Sequence, residues 1–219
     1  MKELSSRLRE TDALLVAHLR QRARQLYRAH LDSITMVVQA LEKRDAQTQG
    51  RTRRVTEIAK AIGNQLGLTE EELLVLELSA LLHDLGMLAV SEDVKGKPGP
   101  LAENELGSIR EHPIRGKEMI EGIPFFEQAL SEVIHHHERF DGTGYPEGLS
   151  GTVIPRAARV IAVADAFEAM TGSRPYKERL TPERALDEID KAAGVQFDPE
   201  AVAALRALWN AKALGTILG

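Results

Sequence analysis

Adjacent histidines and aspartates are the side chains of this chain with the clearest capacity for chemistry. His83 is followed by Asp84, and His136 is followed by His137. Asp165 stands in the otherwise apolar run VIAVADAFEAM, where burial of an unpaired carboxylate would be costly. Adjacent side chains on a helix diverge by about 100 degrees, so each pair serves two neighbouring ions more readily than one. The pattern therefore indicates a dinuclear metal site, which could activate a water molecule and neutralise a phosphate.

Each of these features also has a plainer explanation. A His-Asp pair at a helix end is commonly a polar contact, and the run of histidines at 135–137 could form a solvated face. An aspartate in an apolar helix could instead pair with an arginine. If metal is bound, imidazole and carboxylate donors without thiolate favour iron, manganese, nickel or zinc over calcium. The residue types alone leave both interpretations open.

Composition narrows the class of protein. The 219 residues are 43% hydrophobic and 28% charged, which is typical of a folded globular chain. The formal net charge of −5 argues against DNA or an anionic membrane as a partner. With no cysteine, disulfides and thiolate nucleophiles are excluded, and a cytoplasmic location is expected. The charged N-terminus does not resemble a signal peptide, and charges interrupt the most apolar stretch, so no membrane span is predicted.

The elements that must position these side chains are all predicted to be helices. A long helix should run from Leu4 to Leu41, because this stretch contains neither glycine nor proline. Its apolar residues at coiled-coil spacing are Tyr27, Leu31, Ile34, Val38 and Leu41. This seam could pack against the helix's own domain, or it could form a homodimer and transmit a signal. We expect a long helix over residues 1–45 and one all-α domain over residues 46–219.

Local signals predict the helices of this domain. A helix over residues 51–66 should end at Gly67. Thr69 and Glu72 form a capping box that begins a helix reaching about Leu85, with His83 and Asp84 in its last turn. Further helices are expected over residues 101–112, over residues 125–138, after Pro155, after the N-cap Thr181 and after the N-cap Asp198. The glycine-rich segment 141–151 should be an ordered loop.

Seven short motifs follow one another along residues 40–205. They are HDLG (83–86), KPGPL (97–101), EHPIRG (111–116), HHERFDGTGYPEGLSG (136–151), IPRAARVIAVAD (154–165), RPYK (174–177) and AGVQFDP (193–199). In types and order they resemble the HD-GYP family, the bacterial signalling phosphodiesterases of cyclic di-GMP within the HD superfamily. The resemblance implies an HD-superfamily helical bundle.

The resemblance also implies roles for individual residues. The implied metal ligands are His83, Asp84, His112, His136, His137 and Asp165, with Asp84 bridging two divalent ions and with His83 and Asp84 as the catalytic pair. The implied substrate contacts are Tyr145, Arg174 and Lys177, with Gly144 and Pro146 shaping the loop that carries Tyr145. A metal-activated hydroxide would then open cyclic di-GMP to linear pGpG, or carry it on to GMP.

The chain departs from the family pattern at several positions. Arg51 stands where the family carries a histidine ligand, and a guanidinium cannot bind a metal ion. Met87 replaces a lysine that would contact a substrate phosphate, and Glu168 replaces an aspartate. Gln47 replaces a glutamate found in trinuclear members, so a third ion is not expected.

These departures leave three hypotheses about function. The first is a metal-dependent cyclic di-GMP phosphodiesterase with a reduced metal complement and reduced activity. The second is a catalytically degenerate module that binds the dinucleotide or a protein partner, with Arg51 in the substrate site as a permanent charge. The third is a phosphohydrolase of another nucleotide, because the loss of the lysine at Met87 changes the phosphate pocket.

Overall fold

The structure, a computed structural model, describes residues 2–42, 50–97, 99–172 and 179–215, with side chains from residue 12 onward. Across these ranges it consists of helices and short 3₁₀ turns and contains no β-strand, which confirms the all-α prediction. The α-helices are α1 (Lys2–Glu42), α2 (Arg51–Gln65), α3 (Glu70–Leu82), α4 (Glu92–Lys95), α5 (Glu103–Arg110), α6 (His112–Ile120), α7 (Leu130–His135), α8 (Arg156–Thr171), α9 (Pro182–Lys191) and α10 (Pro199–Asn210). The 3₁₀ turns are Leu85–Ala89, Glu127–Ala129 and Gly151–Val153.

Three helices begin where the capping signals predict. The Thr69 side chain accepts a hydrogen bond from the Glu72 amide, and the Glu72 carboxylate accepts one from the Thr69 amide, which completes the capping box of α3. Thr181 caps α9 and Asp198 caps α10, each with proline at the first helical position. These caps satisfy amides that the helices themselves cannot pair.

The main hydrophobic core surrounds α8, which packs against α2, α3, α7, α9 and α10. Its largest fully buried side chains include Ile58, Ile62, Phe167, Leu186 and Leu205. A smaller cluster joins α1 to α3 and α7. Because α8 also carries Asp165, this core fixes the position of that carboxylate in the fold.

The C-terminal half of α1 packs against its own domain. Leu31 is only 2% exposed, Tyr27 and Ile34 join the same cluster, and the Tyr27 hydroxyl donates a hydrogen bond to the Leu74 carbonyl oxygen. The apolar positions upstream remain exposed: Leu15 at 55%, Leu19 at 58% and Leu26 at 60%. In the C-terminal half of α1, this apolar seam therefore packs against its own domain. The boundary at residues 45 and 46 lies outside the described ranges, and the division into two domains stays a prediction.

Several predicted helix ends differ from the structure. Helix α3 ends at Leu82, so His83 is its C-cap and Asp84 lies between α3 and the 3₁₀ turn Leu85–Ala89. The predicted helix over 101–112 ends at Arg110, and Pro113 stands in the first turn of α6, where a missing amide hydrogen costs nothing. The predicted helix over 125–138 is shortened to α7.

A hydrogen bond from the Glu138 amide to the His135 carbonyl oxygen tightens the chain where α7 ends.

Among the described helices, none is both long enough and apolar enough to cross a membrane.

Candidate metal centre

The six predicted metal ligands come from four separate parts of the fold and meet at one place. They are His83 and Asp84 after α3, His112 at the start of α6, His136 and His137 after α7, and Asp165 in α8. Their donor atoms form two groups that share Asp84, and in each group all donor atoms lie within 4.8 Å of one another.

A close contact between two backbones brings Asp84 to His112. A Cβ atom at Gly86 would lie 1.9 Å from the His112 carbonyl oxygen and 2.5 Å from the Gly116 amide nitrogen. Only glycine can occupy this position without moving one of the two segments. The glycine two residues after Asp84 therefore holds the 3₁₀ turn against α6.

Three of the histidines are oriented by the same hydrogen bond. Each Nδ1–H donates to the carbonyl oxygen three residues earlier: His83 to Ala80 at 2.8 Å, His112 to Ile109 at 2.7 Å and His136 to Val133 at 2.7 Å. With Nδ1 protonated, the lone pair of neutral His112 and His136 lies on Nε2, and these two acceptor nitrogens face a common centre. The Nε2 atom of His83 faces the carboxylates of Asp84 and Asp165 instead.

The first group, which we call the four-donor group, consists of Asp84, His112, His136 and His137. The His112 Nε2 atom lies 3.2 Å from the His136 Nε2 atom and 3.4 Å from Asp84 Oδ1. Because both Nδ1 atoms are protonated, the two facing Nε2 atoms are both acceptors and cannot bond to each other. Such an arrangement is stable when a cation lies between the lone pairs, so this group fits a divalent ion.

The protonation states of this group also suit a metal ion. Burial lowers the pKa of His136 well below its ordinary value, and the neighbouring His137 lowers it further. Burial, with His112, lowers the pKa of His137 to about 4, and burial lowers that of His112. These imidazoles are neutral at pH 7, as metal coordination requires.

The second group, which we call the three-donor group, consists of His83, Asp84 and Asp165. The His83 Nε2 atom is buried without a hydrogen-bond partner, 3.2 Å from Asp84 Oδ2 and 3.7 Å from Asp165 Oδ1. Burial lowers the pKa of His83, but the adjacent Asp84 and Asp165 carboxylates outweigh it and raise the pKa to about 10. This side of Asp84 is therefore rich in opposite charges.

Arg51 enters the three-donor group from the start of α2. Its Nη2 atom donates a hydrogen bond to Asp165 Oδ1 and lies 3.8 Å from Asp84 Oδ2. Burial raises the pKa of Asp165, but Arg51 and His83 outweigh it and hold that pKa well below its ordinary range. The plainer explanation for Asp165, pairing with an arginine, is thus confirmed. The three-donor group already contains a cation and fits a metal ion poorly.

The loop over residues 141–151 brings Tyr145 to the edge of the centre. The Tyr145 ring stacks on the His137 ring with centroids 5.0 Å apart, and its amide donates to the His137 carbonyl oxygen. A Cβ at Gly144 would lie 2.3 Å from the Arg139 amide nitrogen, so the loop can pass there only with glycine. Pro146 follows in the same loop. Burial raises the pKa of Tyr145 to about 12 and keeps the hydroxyl protonated.

Sequence reasoning did not identify two residues that organise this region. The buried Glu138 carboxylate accepts hydrogen bonds from the Glu147 and Gly148 amides, at 2.7 and 3.0 Å, and so anchors the loop. Arg54 donates to the Glu168 carboxylate from Nε at 2.9 Å and from Nη2 at 2.6 Å. The matching three-residue spacing of the arginines on α2 and the acids on α8 was the available signal.

The remaining predicted site residues lie outside the described ranges or beside the centre. Arg174 and Lys177 fall in 173–178, outside the described residues. Met87 lies in the 3₁₀ turn that follows Asp84. A cavity of about 190 Å³ borders the centre and is lined in part by His136, His137 and Asp165. A larger cavity of about 510 Å³, beside Tyr27 and Glu132, lacks the metal-donor residues.

The chain is similar in sequence to known proteins. The HD domain family profile matches residues 35–201. The chain is 40% identical over 176 residues to the cyclic di-GMP phosphodiesterase response regulator RpfG of Xanthomonas campestris pv. campestris, covering 80% of this chain and 47% of that protein. It is 32% identical over 192 residues to a cyclic di-GMP phosphodiesterase of Thermotoga maritima, covering 85% of this chain and 52% of that protein.

A solved structure shares the fold. The crystal structure of a cyclic GMP-AMP specific phosphodiesterase of V. cholerae (V-cGAP3) superposes with a TM-score of 0.67 at 23% identity, over 82% of this chain and 48% of that one. The chain spans about half the length of the curated relatives it matches. At that identity the likeness to the solved structure shows the fold alone.

Proposed function

Because the chain belongs to the HD domain family, within its HD-GYP group, we propose that it is a metal-dependent phosphodiesterase that hydrolyses cyclic di-GMP to pGpG or GMP. The observation that carries this proposal is the four-donor group, in which oriented neutral imidazoles and one carboxylate converge on a single point. The curated relatives named as phosphodiesterases of this dinucleotide support the choice of substrate.

The proposed chemistry divides between the ion and the chain. A divalent ion bound there would lower the pKa of a coordinated water and polarise a phosphoryl oxygen. His112, His136 and His137 would hold the ion, with burial keeping them neutral, while Asp84 supplies the charged donor. His83, whose Nε2 atom lies 3.2 Å from Asp84 Oδ2, would keep that carboxylate in place, and Asp165 Oδ1 lies 3.7 Å from the same nitrogen.

We assign the substrate contacts to the loop and to the segment after α8. The Tyr145 ring, already stacked on His137, would pack against a guanine base, with Gly144 and Pro146 setting its position. Arg174 and Lys177 would bind phosphate oxygens, which stays a prediction from the sequence. The identity of the ion among iron, manganese, nickel and zinc, and a cytoplasmic location, also stay predictions.

The test is turnover of cyclic di-GMP by protein reconstituted anaerobically with Mn²⁺ or Fe²⁺, with products separated by chromatography. His137→Ala is the control, because it removes a donor from the four-donor group. We expect pGpG or GMP to form only when His137 is intact. Product formed equally by both proteins would refute the site, and turnover of cyclic GMP-AMP or cyclic di-AMP alone would favour the hydrolase of another nucleotide.

One observation favours a second function. Arg51 is engaged with Asp165 and lies near Asp84, so part of the centre is occupied by a charge that cannot activate water. A module built in this way could bind cyclic di-GMP without cleaving it. Binding of the dinucleotide by calorimetry, with no product under the conditions above, would establish this receptor function instead.

We also propose that the exposed apolar positions of α1 form a homodimer. Leu15, Leu19 and Leu26 lie upstream of the half of α1 that packs on its own domain, and each is more than half exposed. Leu19→Glu should convert a dimer to a monomer in sedimentation. Val153→Glu is the matched control, because Val153 is 70% exposed in a different part of the fold. Unchanged sedimentation of Leu19→Glu would refute this interface.

A further inference from the structure

We propose that Arg51 is a resident cation that takes the place of a second metal ion, so that the chain binds one ion per centre rather than two. The inference rests on the proposed metal-dependent function, since it concerns the other side of the same Asp84. It assigns Arg51 a role inside the metal centre and removes the three-donor group from the set of ion sites.

The position of the guanidinium conflicts directly with an ion in the three-donor group. An ion held by His83, Asp84 and Asp165 would need their donor atoms at roughly 2.0–2.2 Å, and the Asp165 oxygen that lies near His83 Nε2 is Oδ1, at 3.7 Å. That same oxygen accepts the hydrogen bond from Arg51 Nη2. The Arg51 Nη2 atom also lies 3.8 Å from Asp84 Oδ2, the second oxygen that this ion would use.

Arg51 is held where it is by its surroundings. Its backbone is fixed at the first position of α2, whose N-cap is Gly50 in the left-handed conformation. Its Nε atom lies 3.5 Å from Glu168 Oε2, while the other carboxylate oxygen of Glu168 is bound by Arg54. Two arginines on α2 thus face two carboxylates on α8 at the same spacing, which makes the guanidinium part of the helix packing.

The charge balance supports one ion. Asp84, Asp165 and Glu168 carry three negative charges, and two arginines and the His83 imidazole lie against them. Arg51 and Arg54 alone offset two of these charges, so a single divalent ion in the four-donor group more than balances the rest. A second ion would add two further positive charges within a few ångströms of Arg51, in a region where water screens them poorly.

Arg51 supplies part of what a second ion would supply. Its positive charge neutralises Asp165, and it lies near Asp84 Oδ2 while Asp84 Oδ1 faces His112 of the four-donor group. It has five N–H donors and no lone pair for a metal or a proton, so it cannot activate water. The centre should therefore be mononuclear, with Arg51 as a positioning residue for the Asp84 carboxylate.

Metal content of the whole chain tests this inference independently of turnover. Chelator-treated protein is reloaded with Mn²⁺, and bound manganese is measured by elemental analysis and by electron paramagnetic resonance. We expect one Mn²⁺ per chain and the spectrum of isolated ions. Arg51→His should bind two Mn²⁺ per chain and show the spectrum of an exchange-coupled pair, because the variant replaces the guanidinium with an imidazole donor.

Two further variants make the result decisive. Arg53→His makes the same change at an exposed position of α2, and it should still bind one ion. Arg51→Ala frees Asp165 without adding a donor, and it should bind a second ion more weakly than Arg51→His does. Two coupled ions in the unaltered protein, or one ion in both Arg51 variants while the first ion is retained, would overturn the inference and leave the proposed function standing. No ion in the unaltered protein would refute the proposed function itself.

Discussion

Histidines surround both carboxylate oxygens of Asp84, but the balance of charge differs between the two sides. On the Oδ1 side, His112 lies at 3.4 Å and faces another acceptor nitrogen, so the group is short of positive charge. On the Oδ2 side, His83 lies at 3.2 Å and Arg51 at 3.8 Å, so positive charge is already present. Donor residues at suitable distances therefore do not define a metal site unless their charge is also left unbalanced.

The histidine pKa values show the same contrast. Burial is the first cause on both sides and lowers the pKa in each case. On the four-donor side other histidines reinforce it, and the pKa of His137 falls to about 4. On the three-donor side the carboxylates outweigh it, and the pKa of His83 rises to about 10. Neighbouring charge, rather than burial, decides whether an imidazole here is a metal donor or a cation.

The largest expected difference in metal binding is between two variants that each remove one histidine, one from either side of Asp84. His137→Ala should weaken Mn²⁺ binding by more than about 100-fold, since loss of groups that merely orient ligands already costs about 10–100-fold. His83→Ala should retain the ion, because His83 does not belong to the four-donor group. Calorimetric titration with Mn²⁺ measures both. Equal loss of binding in the two variants would mean that the sides are not independent.

A smaller effect should follow from separating Asp84 from His112. Gly86→Ala places a Cβ against the His112 carbonyl oxygen, which should cost about 1–3 kcal/mol of stability and weaken Mn²⁺ binding. Gly107→Ala is the matched control, because a Cβ there meets no atom within 4 Å. Thermal unfolding with and without Mn²⁺ reports both quantities. A Gly86→Ala protein as stable as Gly107→Ala would contradict the close approach.

The loop beside the four-donor group should affect substrate more than metal. Tyr145→Ala should raise KM for cyclic di-GMP about tenfold, because stacking of a base on an aromatic ring contributes about 1–3 kcal/mol. Tyr145→Phe keeps the ring that packs on His137 and should change KM little. Steady-state kinetics at saturating Mn²⁺ separate the two variants. A similar KM in both would show that the ring does not bind substrate.

The mildest test uses pH on the metal-free protein. His137 has a folded pKa of about 4, below the ordinary 6.5, so its contribution to stability is present above pH 6.5 and is lost as pH falls toward 4. His83 has a folded pKa of about 10, so its contribution is present below pH 6.5 and is lost as pH rises through 10. Imidazole NMR signals should titrate at these two extremes. Titration of both rings near 6.5 would remove the contrast between the sides.

Much of the fold and most of the centre could be predicted from the sequence. Apolar periodicity and the caps at Thr69, Thr181 and Asp198 act over a few residues, so they predicted the helices correctly. The prediction that six acidic and histidine side chains would meet also agrees with the structure. Helix ends were less accurate at α3 and α7, because contacts with other segments determine where these helices stop.

The sequence by itself determined which donor types and which local helices are available. Only the tertiary structure decided how charge is shared among them. The pairing of Arg51 with Asp165 joins residues 114 positions apart, and the half of α1 that packs internally is selected by α3 and α7. Local sequence patterns do not predict contacts between residues so far apart in the chain. The free energy of burying a charge depends on every group that the fold brings within a few ångströms of it, so it is decided by the tertiary structure.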